Sequence, residues 1–271
     1  MHRPLLESDL FPAGPLRRLG RHVELFTRID STNACLLRHA ATLPDGAVAL
    51  AEFQTAGRGR QGRHWRAPRG SSILLSVLLI EPEGSPRISH ATMLGAVAAA
   101  EAVELETHCR PGLRWPNDLV VRGRKLGGVL AESTPCAGRR ARPAPRRALV
   151  IGIGLNCLQQ PGHFGPELRD TATSLEIECT QPVNRAAVAR RLLERLDDWL
   201  AADSAQPTTW ERLRQAWLAH SDDLGARVTL LENACRYTGT VVEIADNGDL
   251  LVELDGGGRR RFESATTTRI A

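Results

Sequence analysis

Residues 73–80 form the longest apolar run in the chain, broken only by Ser76, and it has the length of one β-strand. It is far too short to cross a bilayer. The stretch at 89–104 that follows is rich in alanine and carries Met93, Leu94 and Val97, a composition that predicts a helix packed closely on a sheet. A buried strand followed at once by such a helix commits the chain to layers of sheet and helix.

The same texture extends both ways. Residues 23–29, 47–53, 113–115, 119–121, 126–132 and 148–153 read as strands. Asp30-Ser31-Thr32-Asn33 supplies N-cap residues for a helix over 34–41. Asn184 precedes a helix with Val188, Leu192, Leu193, Leu196 and Trp199 on one face, and 208–219 reads as another. From Gly225 the texture changes to short strands at 228–230, 237–244, 249–254 and 259–263, with turns at 246–248 and 256–258. That is a small all-β module of SH3-like size. The expected organisation is a lead-in arm at 1–22, a main domain at 23–222 and the β module at 223–271. No internal repeat is present. An Arg- and Pro-rich stretch at 139–147 reads as a loop on a hairpin.

Bulk properties exclude several classes. The 271 residues, 42% of them hydrophobic, can build one large core with a small satellite domain. A net charge of +4 implies a solvated, Arg-rich surface before it implies a nucleic-acid face. Cys35, Cys109, Cys136, Cys157, Cys179 and Cys235 form no C-x-x-C pair, so zinc knuckles and thioredoxin-like motifs drop out and reduced, mostly buried thiols are expected. The first twenty residues hold Glu7, Asp9 and three prolines and no apolar signal region, which fits a cytoplasmic protein without a membrane role. The arm is too short for a folded DNA-binding domain, so no DNA is expected.

Three motifs carry chemistry. Gly57-Arg58-Gly59-Arg60-Gln61-Gly62-Arg63 satisfies G-x-G-x-x-G. A dinucleotide loop must open a helix, and Pro68 and Gly70 stand where that helix would run. No G-K-[ST] follows, so a P-loop is absent as well. Glycines let backbone approach a ligand, and Arg58, Arg60 and Arg63 bring forked donors suited to phosphate and carboxylate. Three like charges keep such a loop mobile until an anion orders it. Alone, the loop fits an RNA-contacting arginine segment equally well. The second motif is Arg114-Trp115-Pro116-Asn117-Asp118, with Asn117 and Asp118 at a turn, followed by Lys125-Leu126-Gly127-Gly128. Lys125 is the sole lysine among 35 basic residues, which suggests a need for a compact ammonium. The third is Gly152-Ile153-Gly154-Leu155-Asn156, a strand running into a Gly-lined turn.

Taken in order, with Gln54-Thr55-Ala56 and Trp65, these motifs and the C-terminal β module resemble the biotin–protein ligase family over about residues 23–271, of a type without the N-terminal DNA-binding domain. The resemblance implies an α+β fold, with a mixed-sheet catalytic domain of the biotin/lipoate ligase type followed by an SH3-like barrel. It implies that biotin and ATP, with Mg2+, give biotinyl-5′-AMP, and that biotin then passes to a lysine of a biotin carboxyl carrier domain. It assigns Ser31, Thr32 and Gln54 to the biotin head group, with Asn33 beside them. It gives Arg58, Gly59 and Arg60 the biotin valerate end and the phosphates, and Arg63 the adenylate. Trp65, Asn117 and Asn156 fall near the nucleotide. Lys125 bridges carboxylate and α-phosphate, and Asp118 orients Lys125 or the incoming amine. Lys125, Arg60 and Asp118 are thus the expected catalytic residues. A homodimer through sheet edges is compatible with the fold. Competing readings are a lipoate– or octanoate–protein ligase of the same fold, and a non-catalytic RNA- or protein-binding module.

Overall fold

The computed structural model describes residues 3–136, 145–202, 205–245 and 247–270. The Arg/Pro stretch therefore lies outside the described residues except for its last three positions. The elements run α1 (Glu7–Leu10), β1 (Val23–Phe26), α2 (Thr32–Arg38), β2 (Val48–Ala51), β3 (Ser72–Pro82), α3 (Pro86–Thr107), β4 (Gly112–Arg114), β5 (Asp118–Val121), β6 (Arg124–Pro135), β7 (Arg146–Asn156), α4 (Leu175–Glu178), α5 (Arg185–Ala201) and α6 (Pro207–His220). The C-terminal part adds β8 (Arg227–Glu232), β9 (Cys235–Ile244), β10 (Leu250–Leu254), β11 (Arg259–Phe262) and β12 (Thr267–Arg269).

Strands β1 to β7 form one mixed sheet in the order β1-β2-β3-β7-β6-β5-β4. The β1–β2 pair is parallel and the other ladders are antiparallel. Period-two alternation sends Ile73, Leu75, Val77 and Leu79 of β3, and Leu149, Ile151, Ile153 and Leu155 of β7, into the larger core with the apolar faces of α3 and α5. Helix α3 lies close to the sheet because its contact residues are small: a Cβ on Gly95 would come within 2.9 Å of Ile151 and Val129 methyls. The opposite face of β3 and β7 offers Leu78, Ile80, Ala148 and Val150, which pack with Leu36 and Ala40 of the α2 region. Helix α2 is one short element and covers only that end of the face.

The first twenty-odd residues are integral to this domain. Leu10, Phe11 and Leu19 are buried in the larger core. Asp197 of α5 accepts from the backbone N–H groups of Arg17, Arg18 and Leu19 at 3.1, 2.8 and 2.9 Å. Glu81, buried at the end of β3, accepts from Arg18 at 2.9 Å and Arg87 at 2.8 Å. The charge pattern, with no hydrophobic periodicity in the arm, concealed this.

The C-terminal strands form a second, five-stranded sheet in the order β11-β10-β9-β8-β12. Among the described residues no ladder joins β11 to β12, so the expected barrel is an open sheet in its hydrogen bonding. The turn between β9 and β10 reaches the main domain, where Trp115 Nε1 donates to Gly248 O at 2.9 Å. All six cysteines are free, and only Cys35 and Cys157 are fully buried, fewer than expected. Among the described residues no helix is long and apolar enough to cross a membrane.

Candidate active site

From the N-terminal end of α2 onward, the alternation on the same sheet face continues but its residue types change. On β7 the sequence of inward positions goes from Ala148 and Val150 to Gly152, Gly154 and Asn156; on β3 it goes from Ile80 and Leu78 to Ser76 and Leu74. Small and polar residues replace the apolar ones there, Leu74 excepted. The result is a cavity of about 960 Å³. Its lining brings together Ser31, Gln54, the 58–65 loop, Asn117, Asp118, Lys125 and Asn156. Every sequence-predicted site residue therefore lies at this one cavity.

One lobe is polar and tightly bonded. Ser31 is the N-cap of α2, its hydroxyl accepting from Ala34 N. Gln54 Oε1 accepts from Thr32 N at 2.7 Å and Thr32 Oγ1 at 3.1 Å. The Ser76 hydroxyl lies 2.7 Å from Thr32 Oγ1 and 2.6 Å from Asn33 Oδ1, and with a single proton it can donate to only one of them. Asn33 Nδ2 donates to Leu130 O at 3.1 Å and to Glu132 Oε2 at 2.9 Å. Asn33 is thus committed on both ends of its amide, and Gly152 makes room for it: a Cβ there would stand 2.0 Å from Asn33 Oδ1. Ser76 and Glu132 were not legible as site residues, because each sits in a strand pattern that reads as ordinary burial or solvation.

The Arg-rich segment folds on itself as a small hairpin. Trp65 N donates to Gly57 O at 2.9 Å and Gly59 N to Arg63 O at 2.7 Å. Gly57 is required because any Cβ would stand 2.4 Å from Trp65 O. The tip turns through Gln61 and Gly62, with φ of 52° and 73°. Arg58 donates to Glu132 Oε2 at 2.9 Å. Arg60 bonds Asn117 Oδ1 at 3.3 Å, Thr267 O at 3.2 Å and Ser264 O. Burial, with Arg63 nearby, draws the Arg60 guanidinium below its ordinary value despite the Asp118 carboxylate. Trp65 lies flat on β7: a Cβ on Gly154 would approach its ring to 2.6 Å.

Lys125 and Asp118 meet across β5 and β6. Asp118 pairs with Gly128 in register, and the glycine leaves space over which Lys125 Nζ reaches Asp118 Oδ1 at 2.5 Å. The ammonium stands 6.0 Å from the Trp65 ring centroid. Asn117 is fixed by its Nδ2 donating to Val129 O at 2.9 Å, which leaves Oδ1 for Arg60. Beyond Trp65, Asn156 donates to Thr173 O at 3.0 Å and accepts from Gln159 Nε2 at 2.8 Å. Gln159, His163, Phe164 and Leu168 line this end, and Thr268 to Ile270 of the C-terminal module complete the rim. The 159–172 segment has no periodicity and no motif, so only its return across the sheet reveals it.

Residues 25–156 match the Biotin/lipoate A/B protein ligase family. The chain is 34% identical over 253 residues to the biotin–[acetyl-CoA-carboxylase] ligase of Mycobacterium tuberculosis, an alignment covering 90% of this chain and 87% of that one. The chain belongs to the biotin–protein ligase family. A second family relative, the Bacillus subtilis bifunctional ligase/repressor, is 28% identical over 265 residues, covering 96% of this chain and 78% of its own. The fold matches a family structure too, the Aquifex aeolicus biotin protein ligase in complex with biotin and ATP, with a TM-score of 0.71, 24% identity and coverage of 92% and 99%.

Proposed function

We propose that the chain is an ATP-dependent biotin–protein ligase. It joins the biotin carboxylate to the α-phosphate of ATP, releasing pyrophosphate. It then passes biotin from the mixed anhydride to a lysine ε-amine of a biotin carboxyl carrier domain, releasing AMP. The observation that carries the reading is the convergence, on one cavity, of the chain's sole lysine, the Arg58/Arg60/Arg63 loop and the hydroxyl–amide cluster around Thr32.

The roles follow from charge and hydrogen-bond capacity. Ser31, Thr32 and Gln54 face the ureido ring, where unmatched buried polar groups would be costly and so enforce specificity. Asn33 holds the lobe in shape through Ser76 and Glu132. In the first step a carboxylate approaches a phosphate, and two anions meet only where cations screen them. Lys125 supplies a compact ammonium at that point, oriented by Asp118. Arg58, Gly59, Arg60 and Arg63 close over the adenylate and keep water from the anhydride. Trp65 walls the nucleotide, and Asn117 and Asn156 stand beside it. Among the described residues no cluster of three or more His, Cys, Asp or Glu offers a resident metal site. In this reading Mg2+ accompanies the nucleotide substrate, on its polyphosphate.

The C-terminal module is SH3-like in this reading. Its four-strand meander with the last strand returning beside the first supports that, and in the same reading the module is taken to begin at residue 223. Strands β1 and β4 end the large sheet, and β1, with Leu25 exposed, is the edge that offers pairing to a second copy. The test of the function is transfer: purified chain, biotin, ATP and an apo carrier domain should yield one biotin on one carrier lysine by mass spectrometry. An unmodified carrier across several carrier domains would overturn it.

A further inference from the structure

One oxygen of Glu132, on β6, ties two walls of the cavity together. Its Oε2 accepts from Asn33 Nδ2 at 2.9 Å and from Arg58 Nη2 at 2.9 Å. Asn33 belongs to the lobe at the start of α2, and Arg58 to the arm of the hairpin that leaves Gly57. The Asn33 amide cannot turn. The Leu130 carbonyl can only accept, so the amide must present Nδ2 to it, at 3.1 Å. Oδ1 is left facing the buried Ser76 hydroxyl at 2.6 Å and the bare backbone of Gly152. The second Nδ2 proton then falls to Glu132. A fixed amide thus holds the carboxylate, and the carboxylate holds Arg58.

The arginines of the loop divide by their partners. Arg60 hydrogen-bonds to an amide oxygen and two backbone carbonyls, all neutral, and keeps its charge for an incoming anion. Arg58 is paired with a carboxylate, and a guanidinium already neutralised at 2.9 Å offers a phosphate less attraction. Its place on the hairpin suits a tie instead. Trp65 N closes the base of the hairpin on Gly57 O, Arg60 anchors the far end, and Arg58 stands between them. The pair is partly exposed, with 41% of the Arg58 side chain and 26% of Glu132 open to solvent. Its loss therefore shifts the position of the loop by a modest factor and leaves the domain folded.

We propose, resting on the ligase reading, that Glu132 is a positioning residue. Acting through Arg58, it holds the hairpin against the Asn33 lobe while the adenylate is bound, and Arg58 serves as the strut of the closed loop rather than as a phosphate ligand. The oxygen that braces the head-group lobe thereby also keeps water from the anhydride.

The test follows release of preformed biotinyl-adenylate into excess unlabelled biotin. Glu132→Gln keeps an acceptor for Asn33 and removes the charge. It should release the adenylate about three- to fivefold faster than the parent protein, the scale for one partly exposed ion pair. Arg58→Met should do the same, and the double variant no more than either alone, because the two side chains act as one contact. A phosphate ligand held off by Glu132 would behave in the opposite way, since Glu132→Gln would free it. Slower or unchanged release, a lower KM for ATP in Glu132→Gln, or additive effects in the double variant would each overturn the proposal. Should Glu132→Gln fail to fold, Arg58→Met decides alone: a strut speeds release more than it raises the KM for ATP, and the reverse marks a phosphate ligand. A parent protein that forms no adenylate from biotin and ATP would instead remove the ligase reading and this inference with it.

Discussion

At the scale of single residues, the site depends on contacts that admit no extra atom. Gly152→Ala places a methyl 2.0 Å from Asn33 Oδ1. We expect a loss of about 2 kcal/mol in denaturant unfolding, within the range for overpacked cores, and a higher biotin KM, because Asn33 shapes the Thr32 lobe. An unchanged unfolding midpoint would show that Asn33 is not held as described. Arg60 joins the loop to two backbone carbonyls of the C-terminal module. Arg60→Ala should therefore release biotinyl-adenylate faster while leaving its synthesis measurable; adenylate retention equal to the parent protein would contradict the closing-loop account. Residue types in these motifs were legible from the sequence. Their partners were not: nothing near Arg60 in the chain points to Ser264 or Thr267, and nothing near Asn33 points to Glu132.

Elements were readable to the extent that their periodicity was. The buried run at 73–80 and the alanine-rich stretch at 89–104 became β3 and α3, each a little longer than the pattern suggested. Strand β12 and helix α4 were missed because three or four residues carry no period, and β12 exists only through its pairing with β8. The anchoring of the arm was not legible because Leu10, Phe11 and Leu19 show no period, and Asp197 and Glu81, which bond it, lie far along the chain. Glu81 also makes a pH prediction. Burial pushes its carboxyl up, but the bonds and charges of Arg87 and Arg18 outweigh it and hold the carboxyl below its ordinary value of 4.5. A lowered folded pKa contributes stability that is full above 4.5 and is lost as pH falls through the folded value. Glu81→Gln should cost about 3 kcal/mol at neutral pH, as for one broken side of a buried pair. That deficit should shrink as pH falls below 4.5. A deficit constant down to pH 3 would mean that the carboxylate charge is not what holds the arm.

For the whole molecule, the cavity lies on the sheet face at and beyond the N-terminal end of α2, and Ser76 on β3 with Gly152 and Gly154 on β7 lie along it. The composition adds a consequence. An acyl-adenylate acylates amines, and Lys125 is the chain's sole lysine, ion-paired with Asp118. Incubated with biotin and ATP, the protein should gain no biotin on a lysine side chain, whereas a surface Arg→Lys substitution such as Arg66→Lys at the rim should become labelled. Biotin on Lys125 in peptide mapping would show the ammonium to be free and nucleophilic. The central claim is that this cavity activates biotin through Lys125. It is tested most directly by exchange of labelled pyrophosphate into ATP, with biotin and lipoate in parallel and Lys125→Ala as the comparison. The account predicts exchange with biotin alone, reduced at least about a hundredfold in the variant, the scale for removing one charge-stabilising group. Exchange supported by lipoate in place of biotin, or undiminished in Lys125→Ala, would contradict it.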